Sequence, residues 1–326
     1  VIDDPSDTWS HNVLSFRNEL GRFGDATISI EEAGPVRAAL RIETHWGNST
    51  QLQRLMIYRD IDVIECRMTV NWQEQMKMLK LSFPLRLQNP RATYDIAYGS
   101  IERACNGEEE PGQQWVDVTG TALTATGDSV QYGFSLLNDS KYGFDVLDAD
   151  LRMSVLRSPI YAYHDPYKPE SQRQYVYVDQ GIQAVTYRLL PHAGGWQEAA
   201  VPRRAWELNE RPSWVNEHIH AGPLPQSAAF LSAEPENIVL AVCKKAEDGG
   251  FARFALAGSD AFIVRAYESA GRATHATLSI PQMNVSFAVD FGAHEIKTWR
   301  IELTSPPTVM ALHPLWTEVD LLERSI

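Results

Sequence analysis

Cysteine is scarce in this 326-residue chain: only Cys66, Cys105 and Cys243 occur, odd in number and far apart. That spacing builds neither a disulfide framework nor a zinc knuckle. Cys66 and Cys243 fall in apolar strand-like runs and are expected in the core. Long apolar stretches are missing too, since none approaches the ~20 residues of a membrane-spanning helix. The first residues also lack the pattern of a signal peptide. No membrane partner is therefore expected; location stays open, with the cytoplasm favoured. Basic residues are outnumbered, 29 Lys and Arg against 42 Asp and Glu, for a net charge of -13. Nucleic acid, whose phosphates reward clustered positive charge, is excluded as a partner, whereas a neutral substrate is tolerated. No Gly-x-Ser-x-Gly elbow, phosphate-binding glycine loop or Cys-x-x-Cys pair appears. Helical periodicity is rare. Its best stretch, Glu198 to Asn209, carries Pro202, which predicts a short or kinked helix.

What the chain does have is period-two alternation. Ile64, Cys66, Met68, Val70 and Trp72 alternate with Glu65, Arg67, Thr69 and Asn71, the pattern of a half-buried antiparallel strand. Val285, Phe287, Val289 and Phe291 repeat it. Segments 36–46, 52–59, 79–87, 131–137, 173–178, 183–190, 238–243, 261–267 and 296–303 also read as strands, separated by turn residues such as Gly34-Pro35 and Gly249-Gly250. Many strands with almost no helix predict an all-β protein of packed antiparallel sheets. The Pro-rich, aperiodic stretch 210–227 marks a break. The expected domains are residues 1–215, a large antiparallel double-layered β-sandwich, and residues 216–326, a smaller β-sandwich.

Leu189 to Asn209 reads LLPHAGGWQEAAVPRRAWELN. It resembles a segment from the C-terminal β-region of family 38 α-mannosidases. Asp3 to His11, Gly34 to Gly47, Lys80 to Arg103, Leu136 to Asp145 and Leu156 to Pro159 resemble further segments of that region, in the same order, so that the likeness spans roughly residues 1–210. The resemblance implies a supersandwich of the galactose mutarotase-like kind. It also implies a retaining α-mannosidase as the parent enzyme. In that family zinc is held by two His and two Asp, one Asp is the nucleophile and another carboxyl is the general acid. Those groups suit an oxocarbenium-like transition state, with the metal as an orienting Lewis acid. They belong to an N-terminal barrel. Its His-x-Asp and His-His-Asp motifs do not occur here, so no catalytic residue and no metal ligand is assigned to this chain. Zinc is expected in the catalytic domain, which together with α-mannoside sugars is the expected partner. The chain departs from the family in placing His294 to Thr298 before the closing Glu318 to Glu323, and in having Tyr98 and Ala104 where Phe and Pro are usual.

The substrate-cleft candidates form several groups. Asn138, Asp139, Lys141 and Tyr142 crowd donors, acceptors and a ring into one turn, a mixture suited to sugar hydroxyls. The plainer reading is a turn held by an Asp139–Lys141 contact. Tyr94, Asp95 and Arg103, with Glu102, form a second group. Adjacent Tyr94 and Asp95 face opposite sides of a strand, and a Glu102–Arg103 surface pair is the alternative. His164 sits among aromatics that suit a sugar face, although Asp165-Pro166 is first a turn former. His192 precedes Ala193-Gly194-Gly195 and is expected either to bond the loop or to line the catalytic-domain interface. His218 and His220 read as loop histidines, and Glu108 to Glu110 as a solvated acidic loop.

The sequence thus suggests a supporting β-region that walls a mannose-binding cleft and is inactive alone. The rivals are a free-standing carbohydrate-binding module, with Trp115, Trp196 and Trp214 as platforms, and a mutarotase-like isomerase using His164 or His192 with a nearby Glu.

Overall fold

The strand Ile64–Trp72 shows how sequence becomes architecture here. Cys66, Met68, Val70 and Trp72 are buried, while Arg67, Thr69 and Asn71 are exposed. It pairs with Ser49–Tyr58 on one side and Gly181–Ala193 on the other, both antiparallel. The computed structural model describes residues 1–10, 12–163, 169–223, 225–247, 261–302 and 316–324. They divide into two units: Val1–Ile96 with Ile101–Arg211, and Ala97–Ser100 with Pro212–Ile326.

The larger unit is a two-sheet sandwich. Its broad sheet has nine strands, in the order Gly24–Ala33, Arg37–Trp46, Ser49–Tyr58, Ile64–Trp72, Gly181–Ala193, Ser129–Asn138, Trp115–Leu123, Gln88–Ile96 and Gly99–Arg103. Facing it is a five-stranded sheet ordered Ile2–Asp3, Lys77–Pro84, Asp150–Arg157, Gly143–Leu147 and Glu110–Pro111. Between them lies the main core, built on Met68, Trp72, Tyr94, Leu136, Phe144 and Met153. The indole N–H of Trp72 donates to Ser158 Oγ at 3.0 Å, so its polar atom is satisfied in the interior. On the other face of the broad sheet, the helix Val201–Asn209 lays Val201, Ala205 and Leu208 against Trp115, Leu137 and Leu190. Pro202 sits in the first turn of that helix, where its missing N–H costs nothing. It begins the helix rather than kinking it.

In the smaller unit, Ser232–Glu234, Thr274–Ile280 and Val285–Phe291 form one sheet. Ile238–Lys245, Ala261–Glu268, Ile296–Glu302 and Trp316–Val319 form another. Val264, Leu278, Phe287 and Trp299 fill the core. The displaced strand order of the last hundred residues is accommodated simply: Ile296–Glu302 lies between Ala261–Glu268 and Trp316–Val319, antiparallel to both.

Three expectations need correction. Segment 173–178 forms no strand, only an isolated bridge from Tyr177 to Ile160. Cys243 is exposed on the edge strand Ile238–Lys245, where apolar neighbours in sequence do not supply a covering layer. Glu108 to Glu110 is not a uniformly solvated run. Glu109 pairs with the buried Lys80 and accepts from Ser154, and Glu110 pairs with Arg103 at 2.9 Å.

Candidate functional site

A pocket of about 480 Å³ opens in the larger unit, within the range of small-ligand sites. Asp95, Ile96, Arg103, Gln113, Gln114 and Tyr142 line it, with Pro111 and Gly112. The pocket exists because the chain leaving Arg103 returns as the short strand Glu110–Pro111. That strand pairs with Gly143 and Phe144 before the chain enters Trp115–Leu123. Gly112 passes so close to the core that a Cβ there would meet the Phe144 ring at 3.1 Å and Tyr94 at 3.3 Å.

Asp95 is the chemically distinctive group. Gln114 N–H donates to its Oδ2 at 2.8 Å, and Gln113 N–H donates to its backbone carbonyl at 3.0 Å. Burial pushes its carboxyl up to about 7, against the opposing pull of bonds from Gln114 and Trp115. Near neutral pH the group therefore exists in both forms, able to accept or to donate. Arg103 sends one nitrogen to Glu110 Oε2 at 2.9 Å and another to the Pro111 carbonyl at 3.3 Å. Its guanidinium lies 5.6 Å from the centre of the Tyr94 ring. Tyr142 is 58% exposed and offers a ring at the rim.

The structure sorts the remaining candidates. Tyr94 is wholly buried, on the opposite side of its strand from Asp95, and packs edge-on against Phe144 at 6.3 Å. Asn138 is buried and structural. Its Oδ1 accepts from the N–H groups of Ser140 and Lys141 at 3.0 and 2.5 Å, and its Nδ2 donates to the Gln113 carbonyl at 3.0 Å. Asn138 N–H also donates to the Gln114 carbonyl at 2.9 Å, so this residue holds two pocket-lining residues without touching the pocket. Asp139 Oδ1 accepts from Thr186 N–H at 3.0 Å, and its Oδ2 lies 3.6 Å from Arg211. The Asp139–Lys141 contact does not form, because the Asp139 carboxylate is turned toward the neighbouring strand. Lys141 is half-buried beside the pocket residue Tyr142.

His192 lies elsewhere on the broad sheet. Its Nε2 is 2.8 Å from Asp117 Oδ2 and 3.2 Å from Ser135 Oγ, and Ser135 donates to Asp117 at 2.7 Å. It therefore bonds side chains of neighbouring strands rather than the loop that follows it. The cluster is buried and separate from the pocket residues. His164 lies outside the described residues. His218 and His220 are exposed in the stretch after the helix. Among the described residues, no group of three or more His, Cys, Asp or Glu side chains is arranged to hold a metal ion. Among the described residues the donor set does not fit zinc. Neither rival gains support. Trp115 and Trp196 are buried against each other at 5.1 Å, leaving only Trp214 exposed among the three platform candidates. The pocket lining contains no His or Glu for an isomerase pair.

Residues 3–168, which include the whole pocket lining, match the model of the Glycosyl hydrolases family 38 C-terminal domain. The chain belongs to this family. It is 28% identical over 298 residues to Alpha-mannosidase G of Dictyostelium discoideum, covering 84% of this chain and 24% of that protein. With Alpha-mannosidase 2C1 of Homo sapiens it shares 28% over 280 residues, covering 82% and 24%. The chain thus spans about a quarter of the length of these relatives. The crystal structure of an alpha-mannosidase from Enterococcus faecalis V583 superposes with a TM-score of 0.66 at 15% identity, covering 85% of this chain and 35% of that one. That likeness establishes the shared all-β fold.

Proposed function

We propose that this chain is the C-terminal β-region of a retaining α-mannosidase. In this reading it supports a preceding zinc-dependent catalytic domain and lends the Asp95–Arg103–Tyr142 pocket to the wall of its mannose-binding cleft. The observation that carries the reading is the convergence of those three side chains, with Gln113 and Gln114, in one pocket of the family 38 domain. Sugar hydroxyls both donate and accept. A carboxyl poised near pH 7, two amide side chains and a guanidinium supply matching partners, and an exposed tyrosine ring suits the apolar face of a pyranose. The chain orients substrate; the bond-breaking groups lie in the catalytic domain.

The test is hydrolysis of p-nitrophenyl α-D-mannoside with zinc added, by this chain alone and by the chain fused to a family 38 catalytic barrel. Activity is expected only in the fusion, with Asp95→Asn and Tyr142→Ala each raising KM several-fold. Hydrolysis by the chain alone would overturn the supporting role. Pocket variants with unchanged KM and kcat would remove the pocket from the cleft.

A further inference from the structure

The two sheets of the larger unit are unequal, nine strands against five. The core between them takes no fully buried residue from Gly24–Ala33, Arg37–Trp46 or Ser49–Tyr58, so these three strands overhang the smaller sheet. Their register places Ile30 opposite Leu40, Leu40 opposite Leu55, and Leu55 opposite the core residue Cys66. This row continues the core face outward. Ile28, Ile30, Leu40 and Ile57 lie on that face with 62%, 74%, 38% and 54% of their surface exposed.

The reverse face of the same strands is different. Arg41 pairs with Glu43 at 2.6 Å, and Arg54 with Glu31 at 2.7 Å. That reverse face also buries Ala39 and Met56, so the alternation is not strictly one-sided. On the core face Trp46 and Leu55 pack against the core between the sheets, while Ile28, Ile30, Leu40 and Ile57 remain uncovered among the described residues. Contiguous aliphatic surface of this kind marks an interaction site. Strand addition by a second copy is disfavoured. The edge strand Gly24–Ala33 has register shifts at Gly24/Thr27 and Ile30/Glu32 and carries Asp25, Glu31 and Glu32, features that block edge-to-edge pairing.

We infer that this overhang is the docking face for the part of the full-length enzyme that precedes these residues, which meets it with an aliphatic surface of its own. The inference rests on the functional reading above. It follows from the uncovered face together with relatives of which this chain spans about a quarter. A covalently linked partner needs only an intrachain interface, on the order of 600–1,500 Å².

The test uses the full-length natural polypeptide containing this chain. A photo-crosslinking benzophenone amino acid is placed in turn at Ile28, Ile30 and, as the opposite-face control, Arg41. Irradiation at Ile28 or Ile30 is expected to yield intramolecular cross-links to peptides preceding Val1, at least tenfold above the Arg41 control. Cross-linked dimers would mean that a second copy covers the face, and cross-linking no greater than at Arg41 would mean that nothing docks there; either outcome overturns the inference. Mannosidase activity is measured on the same preparations. An active enzyme without the Ile30 cross-link defeats the docking face alone. An inactive protein with the cross-link defeats the functional reading alone.

Discussion

Gln114 donates its backbone N–H to Asp95 Oδ2 at 2.8 Å, and this bond fixes a half-buried carboxyl at the pocket. A carboxyl pushed up to about 7 takes up a proton on folding, because the unfolded group titrates near 4. The native state then binds more protons than the unfolded state between those values, so stability falls as pH rises. The contribution of Asp95 is full below about pH 4, declines through the interval and levels off above about pH 7. Melting temperature measured from pH 4 to 8 is expected to fall in this window for the wild-type chain relative to Asp95→Asn. Parallel curves for the two proteins would show that Asp95 titrates normally.

Asn138 acts on the pocket from behind. Its side chain makes three bonds to backbone groups, and it bonds the carbonyls of both Gln113 and Gln114. Asn138→Ala leaves buried backbone groups unpaired, at a cost of about 2–3 kcal/mol. Lys141→Ala, which removes a side chain without a bond among the described residues, is expected to change stability by less than about 0.5 kcal/mol. Urea unfolding of the two variants measures the contrast. Equal stabilities would mean that the turn is held by its backbone alone.

Much of the architecture can be read from alternation. The run Ile64 to Trp72 announces a strand with one buried face, and the near absence of helical periodicity announces stacked sheets. Part of the pocket is legible as well, since Asp95, Arg103 and Tyr142 are polar or aromatic residues beside recognisable strands. Gln113, Gln114 and Gly112 are not legible. They reach the pocket because Glu110–Pro111 pairs with Gly143 and Phe144 about thirty residues on, a contact without a local signature. Glu109 is misread for the same reason. A run of three glutamates looks solvated until Lys80, in a distant strand, arrives beneath it. Asn138 and Asp139 have the composition of a binding turn, but Asn138 spends its side-chain bonds on backbone and Asp139 divides its own among Thr186 N–H, the Ser140 hydroxyl and Arg211.

Gly133 and His192 test whether the buried Asp117–Ser135–His192 cluster is a packing unit. A Cβ at Gly133 would lie 2.2 Å from His192 Cε1 and 2.8 Å from Thr119 Oγ1, so the imidazole has to move. Gly133→Ala is expected to cost about 2–3 kcal/mol through overpacking. In a His192→Ala background the closest clash is gone and only the 2.8 Å approach to the Thr119 hydroxyl remains, so the same change is expected to cost about 1 kcal/mol less than in the wild-type chain. Equal costs in both backgrounds, read from denaturant melts, would place the strain elsewhere.

Lys80 anchors the outer face of the five-stranded sheet. Its ammonium, only 2% exposed, reaches both Glu109 and Asp145. The two carboxylates are unequally dependent on it. Asp145 also holds Arg17 at 2.7 Å and Arg152 at 3.0 Å, whereas Glu109 has Lys80 and the Ser154 hydroxyl. Removing one partner of a buried ion pair typically costs about 3–5 kcal/mol. Asp145 stays compensated when Lys80 is lost, so Lys80→Met is expected near the lower end, about 3 kcal/mol. Most of that cost falls on Glu109, left beside an apolar side chain. Neutralising it should therefore recover stability: Lys80→Met with Glu109→Gln is expected to be about 1 kcal/mol more stable than Lys80→Met alone. Chemical denaturation of the two single variants and the double variant gives the coupling directly. Simple additivity would mean that Lys80 stabilises the sheet through Asp145 and that Glu109 is, energetically, the solvated residue its sequence suggests.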